Sequence, residues 1–311
     1  MKAVVYNKKA SPDKLIFCEV GKPVTRDNEL LIKVKAVSLN AADYRSMKMG
    51  LIPKGKIFGA DISGIVESVG REINMFKPGD EVMGDLADFG FGGLAEYVSV
   101  PEKAVIYKPS KISFEDAATL PMAALTALQA LRDKGCIAQG RKVLIVGCSG
   151  GVGTFAIQLA KYFNAEVTGV CSTGNIEQSL SLGADFVIDY TKEDFLKSGK
   201  LYNLILAING NYPVLAYRKC LASGGIYVMV GGSLSQIFKS LVFGRLLSFG
   251  SKKMRSLAAK ANGNDLKFLT SLLETGKIKP VIDRKYTLDK TPEAFYYLSQ
   301  GHSKGKVIIT L

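Results

Sequence analysis

Histidine occurs once in these 311 residues, at His302, and cysteine five times, at Cys18, Cys136, Cys148, Cys171 and Cys220. No two cysteines form a Cys-x-x-Cys pair, so neither a disulfide framework nor a cysteine-rich metal site is expected, and a reducing compartment is the simpler setting. No apolar run approaches the roughly 20 residues that span a bilayer. The start, Met1-Lys2-Ala3-Val4-Val5-Tyr6, lacks the long apolar core of an export signal; it reads as a short strand, and a cytoplasmic location is expected. Arginine-rich tails, zinc-finger spacings, internal repeats and low-complexity tracts are missing. That speaks against dedicated nucleic-acid binding despite a formal net charge of +13. The charge is spread along the chain; it either helps attract an anionic cofactor or substrate, or reflects a lysine-rich background. What remains, 47% hydrophobic and 22% charged residues, is the balance of a folded protein with a sizeable core.

The first hundred residues are rich in glycine turns and β-branched runs. Leu30 to Val37 alternates apolar and charged residues over much of its length, Ile62 to Val69 and Ala95 to Val100 read similarly, and Lys77-Pro78-Gly79-Asp80 is a turn between them. A largely antiparallel β domain is expected. From about Phe114 the texture changes. Ala117 to Leu131 predicts a helix, followed by strand Lys142–Val146, helix Gly153–Phe163, strand Glu166–Val170, helix Ile176–Leu182 and strands at Phe186–Ile188, Leu204–Ala207 and Ile226–Val230. Such alternation implies right-handed crossovers and a doubly wound α/β fold. Asp289 to Gln300 predicts a helix and Lys306 to Leu311 a closing strand, expected to rejoin the first domain. The division reads as 1–116 with 262–311, and 117–261.

The strongest chemical signal is Val143-Leu144-Ile145-Val146-Gly147-Cys148-Ser149-Gly150-Gly151-Val152-Gly153 ahead of an amphipathic helix. A strand delivers the chain to a turn without side chains, and the free amides of the following helix face a pyrophosphate. Cys148 stands where the common Gly-x-Gly-x-x-Gly pattern has its first glycine. Set inside a run of βα units, the loop predicts dinucleotide binding. An NAD enzyme usually carries an acid about 20 residues on, to hold the ribose 2′-hydroxyl. Here Gly169-Val170-Cys171-Ser172-Thr173-Gly174-Asn175 holds none before Glu177, which favours NADPH; a polar turn accepting NADH as well stays open.

Several segments together resemble the zinc-free quinone oxidoreductase branch of the medium-chain dehydrogenase/reductase superfamily. They are Asn40-Ala41-Ala42-Asp43, Gly59-Ala60-Asp61-Ile62-Ser63-Gly64, Phe76-Lys77-Pro78-Gly79-Asp80-Glu81-Val82, Gly93-Leu94-Ala95-Glu96-Tyr97, Leu120-Pro121, Thr126 to Leu131, the glycine loop, Leu182-Gly183-Ala184-Asp185, Ile188-Asp189-Tyr190 and Gly301 to Val307. The chain is similar in this respect to chloroplast-envelope quinone oxidoreductase homologues. The resemblance implies a Rossmann doubly wound parallel sheet plus a discontinuous GroES-like β domain. It implies that Gly150, Gly151, Val152 and Gly153 cradle the pyrophosphate and that Ser172, Thr173 and Tyr190 line the adenosine phosphate pocket. Thr126 and the Val230-Gly231-Gly232 turn would border the nicotinamide, and Asn40, Asp43 and Tyr44 would lie near the substrate. Lys306 is a candidate for a cofactor phosphate, with a solvated lysine as the alternative.

Zinc enzymes of the superfamily use cysteine, histidine and an acid at the catalytic metal. This chain has Asn40 to Asp43 at the corresponding stretch, lacks histidine in Gly59-Ala60-Asp61, and lacks the four-cysteine lobe between Val82 and Ala95; no metal ligands are expected. The expected substrate is then a quinone or an α,β-unsaturated carbonyl, which delocalises incoming charge itself, with Tyr44 as candidate proton donor and Asn40 as orienting group. For Tyr44 an aromatic merely lining the site, and for Asp43 a purely loop-fixing role, are the alternatives. His302, near a helix end, is expected at the surface. Residues 235–260 mix basic and apolar side chains; they are read as bordering the substrate site or burying a face at a subunit contact, with peripheral membrane contact as an alternative. A monomer or homodimer is expected. A catalytically silent NADPH sensor and a membrane-associated partner protein with the same fold are the competing functions.

Overall fold

The computed structural model describes residues 1–6, 14–51, 53–210, 212–232 and 247–311. Along the chain come β1 (Lys2–Tyr6), β2 (Leu15–Glu19), β3 (Glu29–Leu39), α1 (Ala41–Lys48), β4 (Asp61–Val69), β5 (Glu81–Asp85), β6 (Tyr97–Pro101) and β7 (Val105–Tyr107). A helical stretch follows: α2 (Phe114–Thr119), a π turn (Leu120–Ala124), α3 (Leu125–Gln129) and a second π turn (Ala130–Lys134). Next are β8 (Lys142–Val146), α4 (Gly151–Tyr162), β9 (Glu166–Cys171), α5 (Ile176–Ser181), β10 (Phe186–Asp189), β11 (Tyr202–Ala207), α6 (Val214–Lys219) and β12 (Leu221–Met229). The described chain closes with β13 (Lys253–Ser256), α7 (Gly263–Glu274), β14 (Ile282–Thr287), α8 (Thr291–Ser299) and β15 (Lys306–Thr310).

Two compact units result. The first comprises Met1–Leu125, Ala261–Gly276 and Pro280–Leu311, the second Thr126–Lys260 and Lys277–Lys279. The first boundary falls after Leu125 rather than after 116, because α2 packs on β3 and β4 and the Ser63 hydroxyl donates to the Phe114 carbonyl at 2.6 Å. Helix formation there begins at Phe114, earlier than the apolar spacing predicts. The Ser113 side chain accepts from the Asp116 amide at 3.0 Å and supplies an N-cap.

In the first unit a sheet runs in the order β14-β15-β3-β4-β5-β7, with β6 also paired to β3. All its pairs are antiparallel except β14 with β15. Its core draws on Leu30, Ile32, Val34, Val37, Ile62, Val66, Val82 and Val98, joined by Val307 and Ile309 from the far end of the sequence. The second unit is a parallel sheet in the order β10-β9-β8-β11-β12-β13. Counted from β8, that is the order 3-2-1-4-5-6 of a doubly wound dinucleotide fold, whose switch point lies between β8 and β11. Val143 to Val146 are all buried, as a strand covered on both faces requires. Of the basic apolar segment 235–260, residues 235–246 lie outside the described residues; Lys253–Ser256 forms the edge strand β13 beside β12.

Candidate functional site

In the second unit, β8 hands the chain to Gly147, whose φ of 86° an L side chain rarely adopts. The amides of Gly147 and Cys148 both donate to the Val170 carbonyl, at 3.1 and 3.3 Å, so the loop is pinned to β9. Gly150 is the extended N-cap of α4 and has no side chain to cap it. Helix geometry therefore leaves the amides of Gly151, Val152 and Gly153 without an intrahelical acceptor, at the positive end of a twelve-residue dipole. A Cβ at Gly150 would meet only the Gly147 carbonyl oxygen, at 3.9 Å, whereas one at Gly153 would strike that oxygen at 2.3 Å and Cys148 backbone at 2.6 Å. Gly150 thus opens space beside the amides, and Gly153 lets the helix close on the strand. This cradle fits a diphosphate.

The turn after β9 is held by a network the sequence did not reveal. Asn175 Nδ2 donates to Ser172 Oγ at 3.1 Å and to Ser149 Oγ at 3.3 Å, tying the glycine loop to the turn. Gln178 Nε2 adds a bond to the Ser149 carbonyl at 3.4 Å. The Thr173 hydroxyl donates to Asp189 Oδ2 at 2.5 Å, and Thr191 donates to Asp189 Oδ1 through its amide (3.0 Å) and hydroxyl (2.7 Å). Hydrogen bonding from Thr173, then from Thr191, holds the Asp189 carboxyl below its ordinary range. No acid lies in the turn itself, yet parallel pairing of β10 with β9 places Asp189 opposite Cys171. Ser172 accepts from Asn175 and keeps its own proton to give, while the Thr173 proton is committed. Tyr190 is half exposed, and its amide donates to the Cys171 carbonyl at 3.0 Å. At the end of β12, Val230 and Gly231 donate to the Ala207 carbonyl, and Gly232 takes a φ of 137°. Thr126 is buried in α3.

In the first unit the ends of four strands bring together one cation and three acids. Asn40 stands between β3 and α1, Asp61 opens β4, Asp85 closes β5 opposite Asp61, and Lys306 opens β15. Lys306 Nζ donates to Asn40 Oδ1 at 2.6 Å and lies 3.7 Å from Asp61 Oδ2. Asn40 Nδ2 donates to Asp61 Oδ2 at 2.9 Å and to the Ser38 carbonyl at 3.2 Å, and its backbone amide donates to Asp43 Oδ2 at 2.9 Å. Asp43 and Asp61 are 0% exposed and Lys306 3%. Burial pushes Asp43 up to about 7, and raises Asp61 well above and Asp85 above the ordinary carboxylate value; it lowers Lys306. Asp43 Oδ1 and Asp61 Oδ1 are buried without a hydrogen-bond partner, the situation protonation relieves. Lys306, a candidate for a cofactor phosphate from the sequence, is therefore found with its ammonium on Asn40 and Asp61. The Asn40 amide is likewise engaged on its own unit. Tyr44 is partly buried against the first core, with Lys48 Nζ 4.9 Å from its ring centroid. His302 is exposed.

A cavity of about 400 Å³ in the same unit is lined by Asp85, Asp88, Phe89, Lys103, Pro121 and Leu266 among others, and nothing in the sequence foretold it. Among the described residues no cluster of three or more His, Cys, Asp or Glu side chains has the arrangement of a metal site. Zinc favours thiolate and imidazole donors; Asp43 and Asp61 instead share their pocket with an ammonium, a donor set that does not fit that ion. Among the described residues no helix is long and apolar enough to cross a membrane.

Residues 26–110 match the alcohol dehydrogenase GroES-like domain and residues 182–309 the zinc-binding dehydrogenase family. The 2-methylene-furan-3-one reductase of Solanum lycopersicum is 36% identical over 324 residues, spanning 99% of this chain and 79% of that protein. The chloroplast envelope quinone oxidoreductase homolog of Arabidopsis thaliana is 35% identical over 306 residues, spanning 94% and 92%. The solved quinone oxidoreductase from Coxiella burnetii superposes with a TM-score of 0.91 at 31% identity, covering 100% of this chain and 99% of that one. The switch-point glycine cradle, the discontinuous β unit and these likenesses make the chain a member of the medium-chain dehydrogenase/reductase superfamily, in its quinone oxidoreductase branch.

Proposed function

We propose that the protein is an NADPH-dependent, zinc-independent reductase of quinones or α,β-unsaturated carbonyls. The observation that carries this reading is the glycine cradle: free amides at the start of α4 beside the space opened at Gly150. The names of the relatives, a furanone reductase and quinone oxidoreductases, point to the acceptor class. When bound, the nicotinamide supplies a hydride. The chain's own groups do the rest. Gly150, Gly151, Val152 and Gly153 hold the diphosphate, Thr126 with Gly231 and Gly232 borders the nicotinamide ring, and Tyr190 flanks the adenosine. Ser172 donates its free proton to a 2′-phosphate, and Lys192, 3.9 Å from Asp189, offsets that carboxylate beside it. Lys306 and Asp61 fix the Asn40 side chain and Asp43 its backbone amide, leaving Asn40 Oδ1 a second lone pair to orient a hydroxyl of the nicotinamide ribose, and Tyr44 delivers the proton that the reduced acceptor needs.

A conjugated acceptor spreads the arriving negative charge over oxygen, so hydrogen-bond donors suffice to stabilise it. The test is nucleotide oxidation with a panel of quinones and 2-alkenals, using NADPH and NADH in turn. Turnover is expected with NADPH and at least one acceptor class. Tight NADPH binding without turnover of any acceptor would replace the reductase by a sensor, and a stoichiometric metal essential for turnover would end the zinc-independent reading.

A further inference from the structure

Cys148 lies in the loop that leads into the cradle and Cys171 closes the neighbouring strand β9, and nothing in the proposed reaction uses either thiol. Cys148 lies in the loop after β8. A Cβ built on Gly169 would come within 2.8 Å of Cys148 Sγ, so that thiol rests on the face of β9 to which Gly169 belongs. Cys171 is two residues further along β9 and therefore on the same face. One hydroxyl joins the two: Ser179 Oγ lies 3.3 Å from Cys148 Sγ and 3.6 Å from Cys171 Sγ. The backbones are tied as well, since the Cys148 amide donates to the carbonyl of Val170, the residue before Cys171.

We propose that Cys148 and Cys171 form a peroxide-oxidisable dithiol, a modification site whose disulfide closes the cofactor loop against the end of β9. The two thiols differ as such chemistry requires. A hydrogen bond from Cys148 brings Cys171 down to about 7, while that same contact and burial raise Cys148. Both thiols are buried, Cys148 at 0% and Cys171 at 2% exposure, so only an oxidant the size of hydrogen peroxide reaches them; Cys171, the nearer to the surface, is then the attacking thiolate and Cys148 the resolving thiol. The Cys171 sulfur attacks one peroxide oxygen, the O–O bond breaks, and water leaves a sulfenic acid. Cys148 sulfur then attacks that sulfur, forming the S–S bond and releasing a second water. Two thiols are oxidised by two electrons, and hydrogen peroxide is reduced to two waters.

Joining the sulfurs draws the loop toward β9, because cystine geometry needs Cβ atoms about 3.8 Å apart. The amides of Gly151 to Gly153 shift with it. Losing one hydrogen bond to a charged phosphate weakens nucleotide binding by about tenfold. This consequence rests on the loop being the nucleotide site; the cross-link itself does not.

The experiment titrates the full chain, carrying C18S, C136S and C220S together, with hydrogen peroxide. It follows tryptic peptides by mass spectrometry and NADPH binding by fluorescence. A single Cys148–Cys171 peptide is expected, with NADPH affinity falling by about tenfold, both reversed by dithiothreitol. The Cys171→Ser variant in that background should form no cross-link; should it fail to fold, Cys171→Ala serves, and the peptide map of the parent protein still decides. Sulfinic acid without the cross-link, or a cross-link that leaves NADPH affinity unchanged, would overturn the proposal. Should the reduced protein bind no NADPH, the function proposed above falls, while the peptide map still judges the dithiol.

Discussion

Replacing Lys306 by methionine removes the one cation that, among the described residues, sits in a pocket with two fully buried acids and a third at its edge. The side chains are similar in length, so the change is mainly one of charge. In the native pocket Lys306 and Asp61 share one proton between them, as they do in the unfolded chain, where the carboxylate is ionised and the amine charged. The pair then adds no pH dependence to stability. In Lys306→Met the folded chain must keep Asp61 protonated, because an unpaired buried carboxylate costs several kcal/mol, while the unfolded chain leaves it ionised above its ordinary value of 3.8. The folded variant binds one extra proton, and its stability deficit grows by about 1.4 kcal/mol per pH unit. Between pH 5 and pH 7 the deficit should widen by about 3 kcal/mol. Urea denaturation followed by circular dichroism at pH 5, 6 and 7, on the native and variant chains, measures it. Parallel stability curves, with a constant difference across the range, would mean that the buried pair already carries two protons, and the reasoning would fail.

Asp43→Asn should remove another slope. With its value raised to about 7, this carboxyl contributes stability that is full below the unfolded value of 3.8 and lost as pH rises through about 7. The native chain should thus lose up to about 4 kcal/mol over that window relative to the variant, read from urea midpoints; equal slopes would refute it. The glycine pair separates folding from binding. Gly150→Ala, with only one atom within 4 Å and a φ of −81°, should change stability by under about 0.5 kcal/mol yet weaken NADPH binding about tenfold. Gly153→Ala should lose binding and also destabilise by about 1–3 kcal/mol, because its methyl meets rigid backbone; thermal melts and nucleotide titrations check both. Ser172→Ala should lower kcat/KM for NADPH about tenfold and leave NADH unchanged, the loss of one donor to a charged phosphate.

The cradle was legible in the sequence because everything it needs is local: one apolar strand, glycines at fixed offsets and the helix after them. The doubly wound fold was legible for the same reason, strand and helix alternating at short spacing, though not its strand order. Partnerships across long separations were not. Lys306 reads as a strand-start lysine that is usually solvated, and only the return of β15 beside β3 sets it on Asn40, 266 positions away. Asp189 was read only as part of the segment Ile188-Asp189-Tyr190; its reach to Thr173 was not foreseen, because the acid was sought in the turn after β9 while the fold delivers it from the neighbouring strand. The two π turns flanking α3 leave no trace in apolar spacing, and the cavity beside Asp85 is enclosed by residues between 85 and 125 and between 261 and 266, segments far apart in sequence. The two thiols were visible separately, Cys148 inside the glycine motif and Cys171 at the end of the next strand, with no hint that one serine hydroxyl joins them.

The interleaving of the first unit also dictates an order of assembly. Asp43 and Asp61 are synthesised early, and the ammonium that lets them stay buried comes only after the whole parallel sheet of the second unit has been made. The nucleotide-binding unit can mature while the chain is still growing, whereas the first sheet waits with a gap beside β3 until β15 arrives to fill it. Until that moment its two acids favour hydration over burial, and the half-built unit is where a stalled or shortened chain would be exposed to proteolysis.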